Sequence, residues 1–277
     1  MKWESKSVGR VASGVSSPLD TALNAEPEDL LVRIRNHIRK REVRLAYQPI
    51  VRADMPEQIV FYEALIRIVD ENGRVLPARD FINLLEDDEA GRQLDCLALE
   101  MGISALAADP TLRLSLNMSA RSIGYRRWTQ VLDECLRDDP HLAERLILEI
   151  TEKSAMLMPE LVTSFMSDLQ QRGIAFALDD FGAGHTAFRY LRQFYFDALK
   201  IDGQFVEGVA HNPDNQVLTA ALVSLAKHFD MLVIAECVQN HEDAEYLVKA
   251  GVDCLQGYLF GAPTFLEFGE QSLAKRA

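Results

Sequence analysis

The chain has little of anything that would take it out of the ordinary globular class. Its 277 residues hold four cysteines, two tryptophans, 10 prolines and 15 glycines. Collagen-like repeats, Pro/Gly-rich disorder and a disulfide scaffold are thereby excluded. Cys96, Cys135, Cys237 and Cys254 are far apart and form no C-x-x-C pair, so they read as reduced thiols rather than as a structural zinc site. No apolar run approaches the ~20 residues that span a bilayer. The best stretch, Val217 to Ala226, is broken by Thr219 and Ser224. Residues 1–26 lack the apolar core and cleavage pattern of a signal peptide, so the cytoplasm is the expected compartment, without membrane insertion. An excess of positive charge is missing too. With 29 Lys+Arg against 42 Asp+Glu the formal charge is −13, which argues against a DNA- or RNA-binding face. A phosphate ligand would need local neutralisation by something other than net charge.

What is present, 48% apolar and 26% charged residues, fits a single globular domain. The length allows two domains, or one α/β barrel of roughly 250 residues. Residues 1–26 are rich in Ser, Gly, Ala and Pro and read as a mobile tail, residues 27–267 as the folded unit, and residues 268–277 as a C-terminal tail. Pro27 to Arg41 carries Leu30, Leu31, Ile34 and Ile38 at helical spacing, with Pro27 suited to the first turn. Strand-like segments follow at Val43–Val51, Gln58–Val69, Leu112–Asn117, Arg145–Ile150, Ile174–Asp180, Ala198–Ile201, Leu232–Glu236 and Cys254–Tyr258. Helical patterns such as Leu161–Arg172, Asn215–Phe229 and His241–Ala250 lie between most of them. Strands alternating with helices imply βαβ units and a largely parallel sheet, and eight strands suggest closure. The connection over residues 52–57 is too short for a parallel crossover. The expectation is an irregular TIM-like (β/α)8 barrel with an antiparallel first strand.

Several strands end alike, an apolar run closing on a polar residue: Asn117, Glu149, Asp179-Asp180, Lys200, Glu236 and Gln256, with Glu63 inside the second strand. In a closed barrel the C-terminal strand ends meet at one rim, where active sites sit. Acids gathered there cannot all stay ionised without cations, and an oxygen-only set selects Mg²⁺, Mn²⁺ or Ca²⁺. For a single strand, a solvated polar residue explains as much; for five strands carrying acids or Asn it does not. The Phe-Gly-Ala-Gly after Asp180 suits a tight turn or a mobile lid equally. Lys200, flanked by apolar strand residues, must find an anion or a ligand.

The ordered motifs carry a resemblance. Tyr47-Gln48-Pro49-Ile50, Glu63-Ala64-Leu65, Asn117-Met118-Ser119 and Leu148-Glu149-Ile150-Thr151-Glu152 come first. Leu178-Asp179-Asp180-Phe181-Gly182-Ala183-Gly184, Leu199-Lys200-Ile201-Asp202, Ala235-Glu236-Cys237-Val238 and Gln256-Gly257-Tyr258-Leu259-Phe260 follow. Over residues 43–263 the chain resembles the EAL domain, the bacterial cyclic di-GMP phosphodiesterase, which yields linear pGpG. That resemblance implies two ions, Mg²⁺ or Mn²⁺, with Ca²⁺ binding but not supporting turnover. Glu63, Asn117, Glu149 and Asp179 would hold one ion; Asp179 would bridge to a second, joined by Asp180 and, directly or through water, Glu236. Lys200 matches the lysine that orients or deprotonates the attacking water. Gln48, Leu65, Arg67 and Gln256 match substrate-contacting positions, and Glu152 the glutamate that steadies the loop after the Asp pair.

The chain departs from the family pattern at His185, at Cys237 and Gln239 (usually Gly and Glu), at Gly261-Ala262-Pro263 and at Ile68. Of these, Gln239 would remove a supporting carboxylate. Two other functions compete: a catalytically silent EAL domain acting as cyclic di-GMP receptor or docking module, and a Schiff-base barrel enzyme using Lys200. The surrounding acids argue against the latter because they keep the lysine protonated. Phe188, Tyr190, Leu191 and Phe194 give the helix running to Phe194 more aromatic surface than a solvated helix needs, which packing against the barrel explains equally well; the resemblance further implies a homodimer through the loop and helix 181–194.

Overall fold

The structure, a computed structural model, describes residues 27–69, 73–182, 191, 193–266 and 268. Both expected tails, apart from Phe268, lie outside the described residues. The strands are β1 (Val43–Arg52), β2 (Ile59–Val69), β3 (Val75–Pro77), β4 (Leu114–Asn117), β5 (Leu146–Thr151), β6 (Ala175–Phe181), β7 (Ala198–Ile201), β8 (Leu232–Ala235) and β9 (Cys254–Gln256). Eight of them close a ring in the order β1-β9-β8-β7-β6-β5-β4-β2, with β1 pairing back to β2. β1 runs antiparallel to both its neighbours, while the pairs from β2 through β4 to β9 are parallel. The expected irregular barrel and its antiparallel first strand are therefore present. The sequence reading did not foresee β3, a three-residue flap on the outer edge of β2. At that length, and ending in Pro77, it carries no period-two signal.

Around the barrel lie α1 (Pro27–Lys40), α2 (Ile82–Leu85), α3 (Glu89–Ala108), α4 (Arg126–Asp138), α5 (Glu152–Leu157), α6 (Pro159–Gln170), α7 (Gly203–Val206), α8 (Pro213–His228) and α9 (His241–Ala250). Helix starts follow ordinary capping chemistry: Asp88, Thr151, Asn212 and Asn240 each accept a backbone N–H of the first turn. Ile34 and Ile38 of α1 pack with Val43, Ile68, Phe81, Leu85 and Leu94 in a satellite core. Ile68, noted above as a departure, thus serves packing. Among the described residues no helix is long and apolar enough to cross a membrane.

Two apolar layers follow from the strand period of two. Leu114, Leu116, Leu148, Ile150, Phe176, Leu178, Leu199, Val233 and Leu255 face the helices in the main core. The alternate residues Ile50, Phe61, Ala177, Ala198, Ile234 and Cys254, with Ile147 beside them, form a separate cluster that plugs the barrel. Two positions further toward the rim on these same strands stand Gln48, Glu63, Asp179, Lys200, Glu236, Gln256 and Glu149. The polar layer rests on the plug because one pleat repeat separates them.

One carboxylate outside that layer supports it. Asp95 of α3 accepts hydrogen bonds from Ser119 N (3.1 Å) and Ser122 Oγ (2.6 Å) in the turn after β4. Burial pushes its pKa up to about 6, against the hydrogen bonds from Ser122 and Ser119. The folded state then holds a proton that the unfolded chain releases near pH 4, so Asp95 makes stability fall as pH rises from about 4 to 6 and adds no slope above. Asp95→Asn keeps an accepting oxygen and is expected to remove this loss, on the order of 1–3 kcal/mol. Denaturant midpoints at pH 4.5 and 7.5 check it; an unchanged wild-type-to-variant difference between the two pH values would refute the assignment.

Candidate functional site

The rim is built from eight strands, each giving few atoms. Glu63 on β2 sits 5% exposed and accepts from Asn117 Nδ2 of β4 (2.8 Å) and Gln256 Nε2 of β9 (2.6 Å). Gln256 Nε2 also reaches Gln48 Oε1 of β1 (3.1 Å), while Gln48 Nε2 donates to Gly261 O (3.1 Å). Lys200 of β7 is enclosed by carboxylates. Its Nζ lies 2.7 Å from Glu149 Oε2 on β5, 2.7 Å from Glu236 Oε1 after β8, 3.1 Å from Asp179 Oδ1 on β6 and 3.5 Å from Glu63 Oε2. Asp179, Asp180 and Glu236 bring one oxygen each within 4.8 Å of one another.

One ammonium cannot satisfy so many acids. For Lys200, burial opposes the charge, but Asp179, Glu149, Glu236 and Glu63 outweigh it and hold the amine well above 10.5. Among these acids the amine is held as a cation. Burial, with repulsion from Glu63 and Asp179, lifts Glu149 to about 8 despite Lys200. Glu236 is raised well above the carboxylate range, first by burial and then by Asp179 and Glu63. Asp180, at the open edge, rises to about 6 through partial burial and the charges of Asp179 and Asp202. For Glu63 burial pulls upward, yet Lys200 and the donors of Gln256 and Asn117 bring it below 4.5. Asp202, whose charge bears on Asp180 and whose side chain caps α7, was not among the expected site residues. Its place after the Lys200 strand was the available signal.

These residues fit a divalent cation. The donors are hard oxygens, and Glu149 Oε1, buried, makes no hydrogen bond among the described residues. The residues expected for the second ion, Asp179, Asp180 and Glu236, form one cluster. Of the set expected for the first ion, Glu63 is bonded to Asn117, while Glu149 and Asp179 meet at Lys200. Leu65 and Arg67 follow Glu63 on the same face of β2, both half-buried. The Arg67 guanidinium donates to Ile66 O (2.9 Å), and burial lowers its pKa despite Glu63.

The turn after the Asp pair is strained. Asp180 adopts φ 53° and Gly182 φ 93°, and a Cβ on Gly182 would come within 2.6 Å of the Phe205 ring. Such outliers persist where surroundings over-determine them. Here Glu152 Oε2, at the start of α5, accepts Gly182 N (3.1 Å), and Phe181 is fully buried. Cys237 also lies in the left-handed region, φ 56°, which explains why glycine suits that position. Gln239 is exposed and donates to Glu207 Oε1 (3.0 Å), so it lies outside the acid cluster. His185, Phe188 and Tyr190 lie outside the described residues. Leu191 and Phe194 are buried in the main core.

Beside Asn117 and Asp180 opens a cavity of about 410 Å³, walled by Leu85, Asp95, Met118, Arg121, Glu152 and Lys153 among others.

The EAL domain family model matches residues 31–263. The chain belongs to the EAL domain family. It is 29% identical to the cyclic di-GMP phosphodiesterase PdeF of Escherichia coli over 240 residues, 84% of this chain and 32% of that protein. To PdeB of Shewanella oneidensis it is 29% identical over 256 residues, 89% of this chain and 30% of that protein. It thus spans about a third of the length of these relatives. The fold superimposes on the PaMucR phosphodiesterase in complex with c-di-GMP with TM-score 0.73 and 26% identity, covering 88% of this chain and 99% of that one. The EAL enzyme Bd1971 with cAMP and cyclic di-GMP bound gives TM-score 0.76 at 26% identity, covering 88% and 67%.

Proposed function

We propose that this chain is a metal-dependent phosphodiesterase that opens cyclic di-GMP to linear pGpG, lowering the second messenger. The observation that carries this reading is that Glu63, Glu149, Asp179, Asp180 and Glu236 converge with Lys200 on one rim. Five carboxylates and one ammonium leave a formal deficit that two divalent cations neutralise. In this reading Glu63, Asn117, Glu149 and Asp179 hold one ion, and Asp179, Asp180 and Glu236 the other. Two such ions supply an activated water and charge stabilisation for an in-line displacement. Mg²⁺ or Mn²⁺ serves this role, and Ca²⁺ binds without turnover.

The chain's own residues do the rest. Lys200 orients or deprotonates the attacking water. Arg67 offers a planar fork to a phosphate oxygen, its low-dielectric setting strengthening that contact. Gln48 and Gln256 present amides to the nucleotide, and Leu65 an apolar contact. The neighbouring cavity is of a size to take a nucleotide base. The acidic surface disfavours polymeric nucleic acid. The working form is a cytoplasmic homodimer joined through the 181–194 region, residues 27–267 forming the EAL unit.

Incubation with cyclic di-GMP and Mg²⁺ or Mn²⁺, with products separated by chromatography, tests the reading. Linear pGpG is expected, and EDTA or Ca²⁺ should stop its formation. Nucleotide bound but recovered intact with every metal would make the chain a receptor.

A further inference from the structure

An ammonium has three N–H donors. Two of those on Lys200 point to Glu149 and Glu236 at 2.7 Å, and Asp179 stands at 3.1 Å. The group is 1% exposed, so at most one N–H is left for a water. A lysine whose single task was to orient water would need fewer acids. These acids come from β5, β6 and the end of β8, three elements that would otherwise press like charges together at the mouth of the barrel. Removing one partner from a buried charge set is strongly destabilising. The same three carboxylates are the ones that the reading above gives to divalent cations, and that reading is what this inference rests on.

We propose that Lys200 is a built-in counter-ion: it competes with divalent cations for Glu149, Asp179 and Glu236, weakening metal affinity while keeping the acid rim folded before metal arrives. The site trades affinity for a barrel that does not depend on metal to fold. As cations take over the carboxylates, the ammonium is freed to donate toward the substrate side. Lys200 is then a determinant of metal occupancy as well as an orienting donor.

The test uses Mn²⁺ alone, without nucleotide, on the chelator-stripped protein. Lys200→Met, close in length but neutral, is expected to melt at lower temperature than wild type in EDTA. It should also bind Mn²⁺ roughly ten-fold or more tightly by calorimetry, because a like charge has left the site. Its melting point should therefore rise further on Mn²⁺ addition than that of wild type. Unchanged or weaker Mn²⁺ binding by Lys200→Met overturns the counter-ion role. If that variant does not fold, Glu236→Gln decides. With one acid fewer per ammonium it should melt above wild type in EDTA while binding Mn²⁺ more weakly, and a lower melting point in EDTA overturns the proposal. A wild type that takes up no Mn²⁺ at millimolar concentration defeats the metal reading and this inference with it. Mn²⁺ uptake with unaltered Lys200→Met affinity defeats the inference alone.

Discussion

Asp179→Asn is expected to reduce cyclic di-GMP turnover by on the order of 10³-fold or more, whereas Gln239→Glu should change it by less than about three-fold. Asp179 is 7% exposed, lies 3.1 Å from the Lys200 ammonium and is the one acid shared by both proposed ligand sets. Its Oδ1 makes no hydrogen bond among the described residues. The amide keeps the shape and removes the charge. Gln239, by contrast, is an exposed side chain bonded to Glu207. A carboxylate there would face Glu207 across a solvated surface, where like charges cost little. Initial rates for both variants at saturating Mg²⁺ make the check, with circular dichroism to confirm folding. Near-native turnover by Asp179→Asn would remove the bridging assignment.

Much of this site was legible because barrel strands impose a period of two. Phe61/Glu63, Ile147/Glu149, Ala177/Asp179, Ala198/Lys200 and Ile234/Glu236 each show a plug residue followed, one pleat later, by a rim residue. The alternation that marks the strand also marks the residues that share a mouth. Strand ends drifted by one or two residues, β4 starting at Leu114 and β9 ending at Gln256. Ladder hydrogen bonds with neighbours, rather than local propensity, decide where pairing stops. The partners of Lys200 were not legible. That it needed an anion follows from a lysine in an apolar strand, but that Glu149, Asp179 and Glu236 surround it depends on barrel closure. Apolar richness left two readings open. The sequence of the 187–194 segment suited barrel packing and a docking face equally, and Leu191 and Phe194 are buried in the core. Hydrophobicity alone does not say which neighbour a helix covers.

Glu152→Ala is expected to lower turnover per chain by roughly 10- to 100-fold, the range found when a group supporting metal ligands is removed. Glu152 is 3% exposed at the first position of α5 and accepts the Gly182 N–H from two residues beyond Asp180. Removing the carboxylate deprives that backbone donor of its partner and frees a turn whose Asp180 is held at φ 53°. The turn then has less reason to keep Asp179 and Asp180 facing Glu236. Glu152→Gln retains an accepting oxygen and should recover most of the activity, which separates loop positioning from charge. The loop also leads into the proposed homodimer region, so association and turnover should move together. Turnover per chain and mass in solution, followed across a concentration series for wild type and Glu152→Ala, measure that coupling. For wild type, activity per chain should rise through the monomer–dimer transition; for Glu152→Ala it should stay low at every concentration. If wild-type activity per chain is flat through the transition and Glu152→Ala matches it, the loop does not link association to the acid rim.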